Sequence, residues 1–257
     1  MGDKSRIEWT DASWNPVTGC SHVSAGCEHC YAEALSLRYG WSRKPWTKPN
    51  AQENVVLHPE RLDQPRRWRQ PRRIFVNSMS DLFHEEVPFD FVDRIFEAMC
   101  CAQRHVYQVL TKRPERMRDY VRRWLSAQRD RDRHGRALPG HIWVGVSIEE
   151  DRWCGRADVL RQIPARVRFI SAEPLLGALP SLDLRGIHWL IVGGESGPKR
   201  RPFNPAWARQ LREEAQAARV AYFFKQVGGL TSKAGGRLLD GRTWDEMPET
   251  RPAPDAD

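Results

Sequence analysis

The sequence has no apolar run long enough to cross a bilayer. Its most apolar stretch, Ile187 to Val192, falls far short of the roughly 20 residues a spanning helix needs. The opening residues, MGDKSRIEWTD, hold no signal-peptide core, and Arg6 stands where a myristoylation motif wants Ser or Thr. A cytoplasmic location with no membrane attachment is therefore expected. No HExxH pattern or carboxylate-rich ligand set is present either, which ranks a zinc-dependent hydrolase low. Cysteine is scarce, six in 257 residues, and in a reducing compartment six cysteines point to metal or redox chemistry over a disulfide framework. Acid is in deficit, with 33 Asp and Glu against 41 Lys and Arg, for a net charge of +8. That surplus permits an anionic partner such as DNA or RNA without requiring one.

What is present alternates. Strands are expected at 73–77 (RIFVN), 106–110 (VYQVL), 142–146, 167–171, 189–192 and 221–225. Between them lie amphipathic helices near 89–102, 114–128, 152–162 and 205–219, the second with Pro114 at its first position. A further helix is expected at 31–39, and the Pro- and Arg-rich stretch 40–73 reads as loop with one short helix near 59–68. Counting the segment before Cys20, about seven strands alternate with helices, the pattern of parallel βαβ units. Polar residues end several different strands: Ser78, Ser80 and Asp81; Thr111 and Lys112; Ser147 and Glu149; Glu173; Glu195. A barrel gathers such ends around one mouth, whereas an open sheet concentrates function at one switch point. The expected fold is an α/β partial (β/α)6-type TIM barrel over residues 1–230, with 231–257 as a C-terminal extension. Two Arg-rich stretches, 66–73 and 129–136, read equally as flanks of the mouth that guide a phosphate backbone or as solvated charged loops.

The most informative segment is WNPVTGCSHVSAGCEHCYAEAL, whose Cys20, Cys27 and Cys30 have the spacing C-x6-C-x2-C. Thiolates are the natural ligands of iron–sulfur clusters, and Gly19 and Gly26 let the backbone turn around a bulky one. Three cysteines leave one iron of a [4Fe–4S] cluster without a protein ligand, the open position a catalytic centre needs. The rival is a zinc site recruiting His22 or His29 as fourth ligand. Cys100, Cys101 and Cys154 read as core.

The runs IEWTDASWNPVTGCSHVSAGCEHCYAE, FVNSMSDLFH, VLTKRPERM, VGVSIE, ISAEPLLG, IVGGESG and FFKQVGG, in that order, resemble the phage Gp37/Gp68 family, of DUF5131 type. That family in turn resembles radical S-adenosylmethionine enzymes, notably the spore photoproduct lyase-like branch. The resemblance implies that Cys20, Cys27 and Cys30 hold a [4Fe–4S] cluster, with three more residues in the first interval than the usual C-x3-C-x2-C. It implies S-adenosylmethionine as cofactor, reductive cleavage to a 5′-deoxyadenosyl radical, and an electron donor such as flavodoxin or ferredoxin. His29 stands where an aromatic residue often packs beside the adenine, and Tyr31 follows the last cysteine as in many members. Ser80, Asp81 and Lys112 match the serine–aspartate pair and lysine of the branch, with Ser147 at the fourth strand. Lys112 is the expected partner of the methionyl carboxylate. Ser78 stands where the photoproduct lyases carry a hydrogen-donating cysteine, which speaks against the same thymine-dimer repair. Glu149, Glu173 and Glu195, and beyond them Lys225 and Gln226, complete the candidate contacts. The alternative class is a non-catalytic nucleic-acid-binding protein with a structural zinc or iron–sulfur site.

Overall fold

Parallel strands cannot be joined by tight turns; each pair needs a crossover, and this chain builds most of its crossovers as helices. The computed structural model describes residues 5–129, 136–231 and 233–249. It begins with β1 (Ala12–Trp14), β2 (Val17–Thr18) and α1 (Tyr31–Arg38), then α2 (Ala51–Asn54), β3 (Val56–Leu57) and α3 (Gln64–Arg67). A regular series follows: β4 (Arg73–Val76), α4 (Phe89–Cys101), β5 (Val106–Thr111), α5 (Pro114–Arg129) and β6 (Ile142–Ser147). It ends with α6 (Gly155–Arg161), β7 (Arg168–Ala172), β8 (Trp189–Gly193), α7 (Pro205–Ala217) and β9 (Ala221–Gln226).

Seven of these strands form one sheet in the order β1-β4-β5-β6-β7-β8-β9, every neighbouring pair parallel. The order never reverses, so every crossover lies on the same face. A doubly wound sheet would reverse at a switch point. The architecture is the expected partial barrel, a curled half-barrel with helices outside.

The two faces of the strands divide the core. Ile74, Val76, Tyr107, Val109, Val144, Val146, Ile170, Leu190, Val192 and Phe224 point outward and pack in one buried cluster with Phe96, Met117, Tyr120, Leu160 and Leu211 of the helices. Their neighbours Phe75, Trp143, Phe169, Trp189 and Phe223 point inward and form a second cluster with Trp9. Trp9 packs against Phe75 with centroids 4.7 Å apart and planes tilted by 54°, and meets Trp189 edge-on at 6.0 Å. The concave side is thus filled by aromatic rings, and β6 and β8, buried on both faces, read as unbroken apolar runs. Function is left to the C-terminal edge of the strands.

Several elements depart from expectation. The stretch 40–73 contains two four-residue helices and a strand where one short helix was expected. β3 pairs antiparallel with β2, Val17 opposite Leu57 and Thr18 opposite Val56, and strands two residues long leave no periodicity to read. The helix expected at 152–162 is a 3-10 turn, Asp151–Trp153, followed by α6. Its break is held by Asp151, which accepts hydrogen bonds from Ser181 N and Oγ at 2.8 and 2.9 Å. Cys101 is exposed and Cys100 only partly buried, so of the three cysteines assigned to the core Cys154 alone is fully inside.

The Arg-rich stretch 66–73 also lies at the wrong end. α3 leads into the start of β4, and Arg73, the first residue of that strand, pairs with Asp11 before β1 at 2.9 Å. These residues rim the N-terminal edge of the sheet, opposite the mouth. The second stretch falls at 130–135 outside the described residues; it joins α5 to the start of β6. Beyond β9, residues 244–246 run back along the edge strand. Phe224 N donates to Trp244 O (2.8 Å), Tyr222 N to the Glu246 carboxylate (2.9 Å), and Trp189 Nε1 to Glu246 O (2.9 Å). An otherwise open strand edge is thereby covered.

Candidate functional site

The cysteine loop, residues 19–30, lies across the C-terminal edge of the sheet. Its entry is fixed by Gly19, which has φ +83° and whose Cβ position would fall 1.8 Å from Asn54 O. No other residue fits there. Gly19 N donates to Met79 O at 3.0 Å and bridges to Ser80, tying the loop to the end of β4.

Three strand ends then grip the loop from below. Arg113, after β5, donates to Ser21 O and Oγ at 3.2 Å each, and its Nη1 stands 3.7 Å from Cys20 Sγ. Glu149, after β6 and wholly buried, accepts from Ser24 Oγ at 3.1 Å. It sits so close under Gly26 that a Cβ there would meet its Cγ at 2.6 Å. Arg201, after β8, donates to Ala25 O at 3.0 Å. The loop is seated on side chains from three crossovers, those after β5, β6 and β8.

All three of its cysteines are free and none is fully buried. Burial of the thiol pushes Cys20 up to about 12 against the pull of the Arg113 charge, and burial likewise raises Cys30. Cys20 also feels both Cys27 and Cys30, so the three sulfur atoms share one neighbourhood. Among the described residues, no three His, Cys, Asp or Glu side chains close upon a single metal ion.

Several charges at the mouth are paired. Lys112 Nζ lies 3.0 Å from Glu149, whose other oxygen accepts from Arg156 at 3.0 Å. Burial would lower the Lys112 pKa, but Glu149 and the thiols of Cys27 and Cys30 hold it above the usual lysine value. Glu195 accepts from the Arg201 backbone (2.7 Å) and from its guanidinium (2.6 and 3.0 Å), and His29 Nδ1 lies 3.1 Å from it. Glu173 pairs with Lys225 of β9 at 2.9 Å.

The expected site residues therefore sort into groups. Cys20, Cys27, Cys30, Lys112 and Glu149 come together beneath and within the loop, with His29 and Glu195 at its far side. Ser78 and Ser80 are turned to the backbone framework: Ser78 Oγ meets the Asn15 side chain at 3.2 Å and Ser80 Oγ donates to Val17 O at 3.0 Å. The Tyr31 hydroxyl donates to Ser78 O at 2.7 Å while half its ring stays exposed. Ser147 is buried, its carbonyl accepting from Arg156 at 2.7 Å. Gln226 is turned inward as well, its amide donating to Gly194 O at 2.9 Å. Asp81 is a buried hub whose carboxylate accepts four hydrogen bonds. Sequence reasoning passed over Arg113, Arg156 and Arg201; the basic residue after the strand-end pair Thr111-Lys112 was the only available signal, and it also fits an ordinary turn.

One support carries a pH dependence. His84 is 1% exposed; its Nδ1 accepts from Glu86 N (3.0 Å), which leaves Nε2–H to donate to Ser21 Oγ (2.8 Å). Burial, aided by the Arg113 charge, pushes its pKa down to about 4 from 6.5. Between those values the unfolded chain binds a proton that the folded one refuses, so stability falls as pH drops from 6.5 to about 4. The full loss is up to about 3 kcal/mol. Thermal melts across this range should show the decline in the native chain and a flatter profile for His84→Gln.

A family model described as "Protein of unknown function (DUF5131)" matches residues 4–248. No curated protein matches the chain. Among solved structures, a cysteine-to-serine mutant of spore photoproduct lyase aligns with a TM-score of 0.47 at 15% identity, over 86% of this chain and 65% of that one. A spore photoproduct lyase complexed with dinucleoside spore photoproduct gives 0.42 at 15% identity, over 79% and 60%. A double mutant with bound AdoMet and dinucleoside spore photoproduct gives 0.43 at 15% identity, over 81% and 62%. This chain spans less than two thirds of the length of each of these three.

Proposed function

The chain belongs to the DUF5131 family, and from its loop of three free thiols seated over the mouth of a parallel half-barrel we propose that it is a radical S-adenosylmethionine enzyme. Cys20, Cys27 and Cys30 would hold a [4Fe–4S] cluster with one iron left for the cofactor. That thiol triad is the observation that carries the reading. The donor set fits: three free thiols that share a neighbourhood are the ligand type an iron–sulfur cluster takes. A reduced cluster held by these three cysteines would supply the electron for reductive cleavage of S-adenosylmethionine.

The chain's own residues do the rest. Arg113 places a fixed positive charge beside Cys20, which favours its thiolate. Lys112 brings a second cation near Cys27 and Cys30, and Glu149 with Arg156 behind it holds that ammonium in place. An S-adenosylmethionine carboxylate entering here would meet Lys112 first. His29, paired with Glu195, which Arg201 also holds, would pack on the adenine. Electrons must come from outside the chain, from a one-electron donor of the flavodoxin or ferredoxin kind.

Anaerobically reconstituted protein should bind S-adenosylmethionine with a change in the electron paramagnetic resonance spectrum of the reduced cluster. Dithionite should then release 5′-deoxyadenosine and methionine slowly, without added substrate. Colourless protein with stoichiometric zinc, or a cluster indifferent to the cofactor, would overturn the proposal. Lys112→Ala should weaken cofactor binding by roughly ten- to a hundredfold, the range for a hydrogen bond to a charged group. It should leave the cluster intact, because Glu149 keeps Arg156 and Ser24 as partners. Iron content and isothermal titration of the same preparation separate the two effects.

A further inference from the structure

Downstream of the cysteines, α1 ends in a turn that exposes what a soluble surface usually hides. Gly40 has φ +69° and closes the helix: Gly40 N donates to Leu37 O (3.2 Å) and Trp41 N to Ser36 O (2.8 Å). These are the two bonds of a Schellman cap. In such a cap the residue after the glycine ordinarily packs back on the helix. Here the position facing it is Ser36, which is buried, and the Trp41 ring lies outside, stacked on Tyr39 with centroids 5.2 Å apart and planes 28° apart. Tyr39 is 58% exposed and Trp41 57%. Ser42 and Trp46 are buried and joined at 3.0 Å, and Trp46 N donates to Glu33 at 2.8 Å, so the turn behind the rings is anchored at both ends.

The surroundings are cationic. Arg38, Arg43, Lys44 and Lys48 are all exposed, and no acidic residue occurs between Glu33 and Glu53. Lys44 is balanced by Glu53 at 2.6 Å, and Arg38 lies over the Tyr39 ring at 5.7 Å. A rigid, exposed aromatic stack ringed by positive charge is suited to one partner chemistry above others. Every nucleobase has a π-face to stack on such rings, and every nucleotide has a phosphate for the cations. Two rings are too little surface for a stable protein interface, which needs about 800 Å² per partner. The position is also suggestive: α1 starts immediately after Cys30, and eight residues at about 1.5 Å each put Tyr39 roughly 12 Å along the helix from Tyr31.

We infer that Tyr39 and Trp41, with Arg38, Arg43 and Lys48, form a stacking platform for single-stranded or locally unstacked nucleic acid. The platform would deliver that strand to the mouth. The inference rests on the reading of the cysteine site only in making the strand its substrate; binding itself needs no cluster. This is a positive surface distinct from the stretch 66–73, which lies at the N-terminal edge.

Fluorescence anisotropy of a labelled oligothymidine with the full chain tests it. Single strand should bind more tightly than a blunt duplex of the same length, and affinity should fall as salt rises. Trp41→Ala should weaken binding about tenfold and Trp41→Phe much less. Arg43→Gln with Lys48→Gln should flatten the salt slope by about one unit per charge lost. Both aromatic side chains are exposed, so melting temperatures should stay unchanged and confirm folding. Binding that Trp41→Ala leaves intact, or no binding at low salt, would overturn the inference. So would a dimer that Trp41→Ala dissociates, or capture by anionic lipid vesicles in place of oligothymidine. A chain that binds oligothymidine but releases no 5′-deoxyadenosine keeps the platform and loses the radical reading; the converse pair of results does the reverse.

Discussion

Changing Cys20, Cys27 or Cys30 to alanine should each abolish the brown chromophore of reconstituted protein, which should otherwise carry about four irons and four sulfides per chain. The expectation is a full loss because a cluster that already lacks one protein ligand has none to spare. It also has a pH signature. Burial pushes the Cys20 thiol up to about 12 and raises Cys30, so uptake must displace protons that the empty loop holds firmly. Reconstitution should therefore release protons and become less favourable as pH falls. Cys154→Ala and Cys100→Ala should keep full colour. The first thiol is buried against Asp151 at 3.5 Å, and the second lies on α4, away from the mouth. Iron and sulfide assays with visible absorbance decide the matter; a triad variant that keeps its iron would remove that cysteine from the ligand set.

The sheet was legible because parallel strands buried on both faces must be apolar almost without interruption. The runs 106–110, 142–146 and 189–192 satisfy that, and the helices between them show their period plainly. The mouth was legible for a related reason: Lys112, Glu149, Glu173 and Glu195 each follow an apolar run, where only a strand end can place them. Their partners were not. Lys112 meets Glu149 because β5 and β6 are neighbours, and Glu173 reaches Lys225 across β8, over Gly193, both facts of sheet order and not of local pattern. The Arg-rich stretch 66–73 was misplaced for want of the same information. A charge run declares exposure; only the topology, helix into strand, puts it at the N-terminal edge. The β2–β3 ribbon escaped notice because two residues carry no period at all.

Asp81 is where the sequence pattern and the structure differ in kind, and Asp81→Ala should be among the most destabilising single changes at the mouth. The resemblance makes Asp81 a cofactor contact, yet its carboxylate is already fully engaged. One oxygen accepts from Phe83 N (2.9 Å) and Thr111 Oγ1 (2.7 Å), the other from Lys112 N (3.0 Å) and Arg113 Nη1 (3.1 Å). Burial alone would raise its pKa, but the Arg113 charge and these hydrogen bonds outweigh it and hold the group below the usual carboxylate range. Alanine leaves four donors unanswered and takes from a guanidinium that is itself 6% exposed the buried one of its two carboxylate partners, leaving only the exposed Glu85 at 2.9 Å. Breaking a buried pair from one side typically costs about 3–5 kcal/mol, a large share of the roughly 5–15 kcal/mol that keeps a domain folded. Asp81→Ala with Arg113→Met should recover part of the loss, since an apolar pair no longer strands a charge. Recovery should be incomplete, because Arg113 also holds Ser21 and neighbours Cys20. Urea unfolding of the two single variants and the double variant closes the cycle. If Asp81→Ala instead melts with the native chain and loses only S-adenosylmethionine affinity, the carboxylate belongs to the cofactor and not to the frame that seats the cysteine loop.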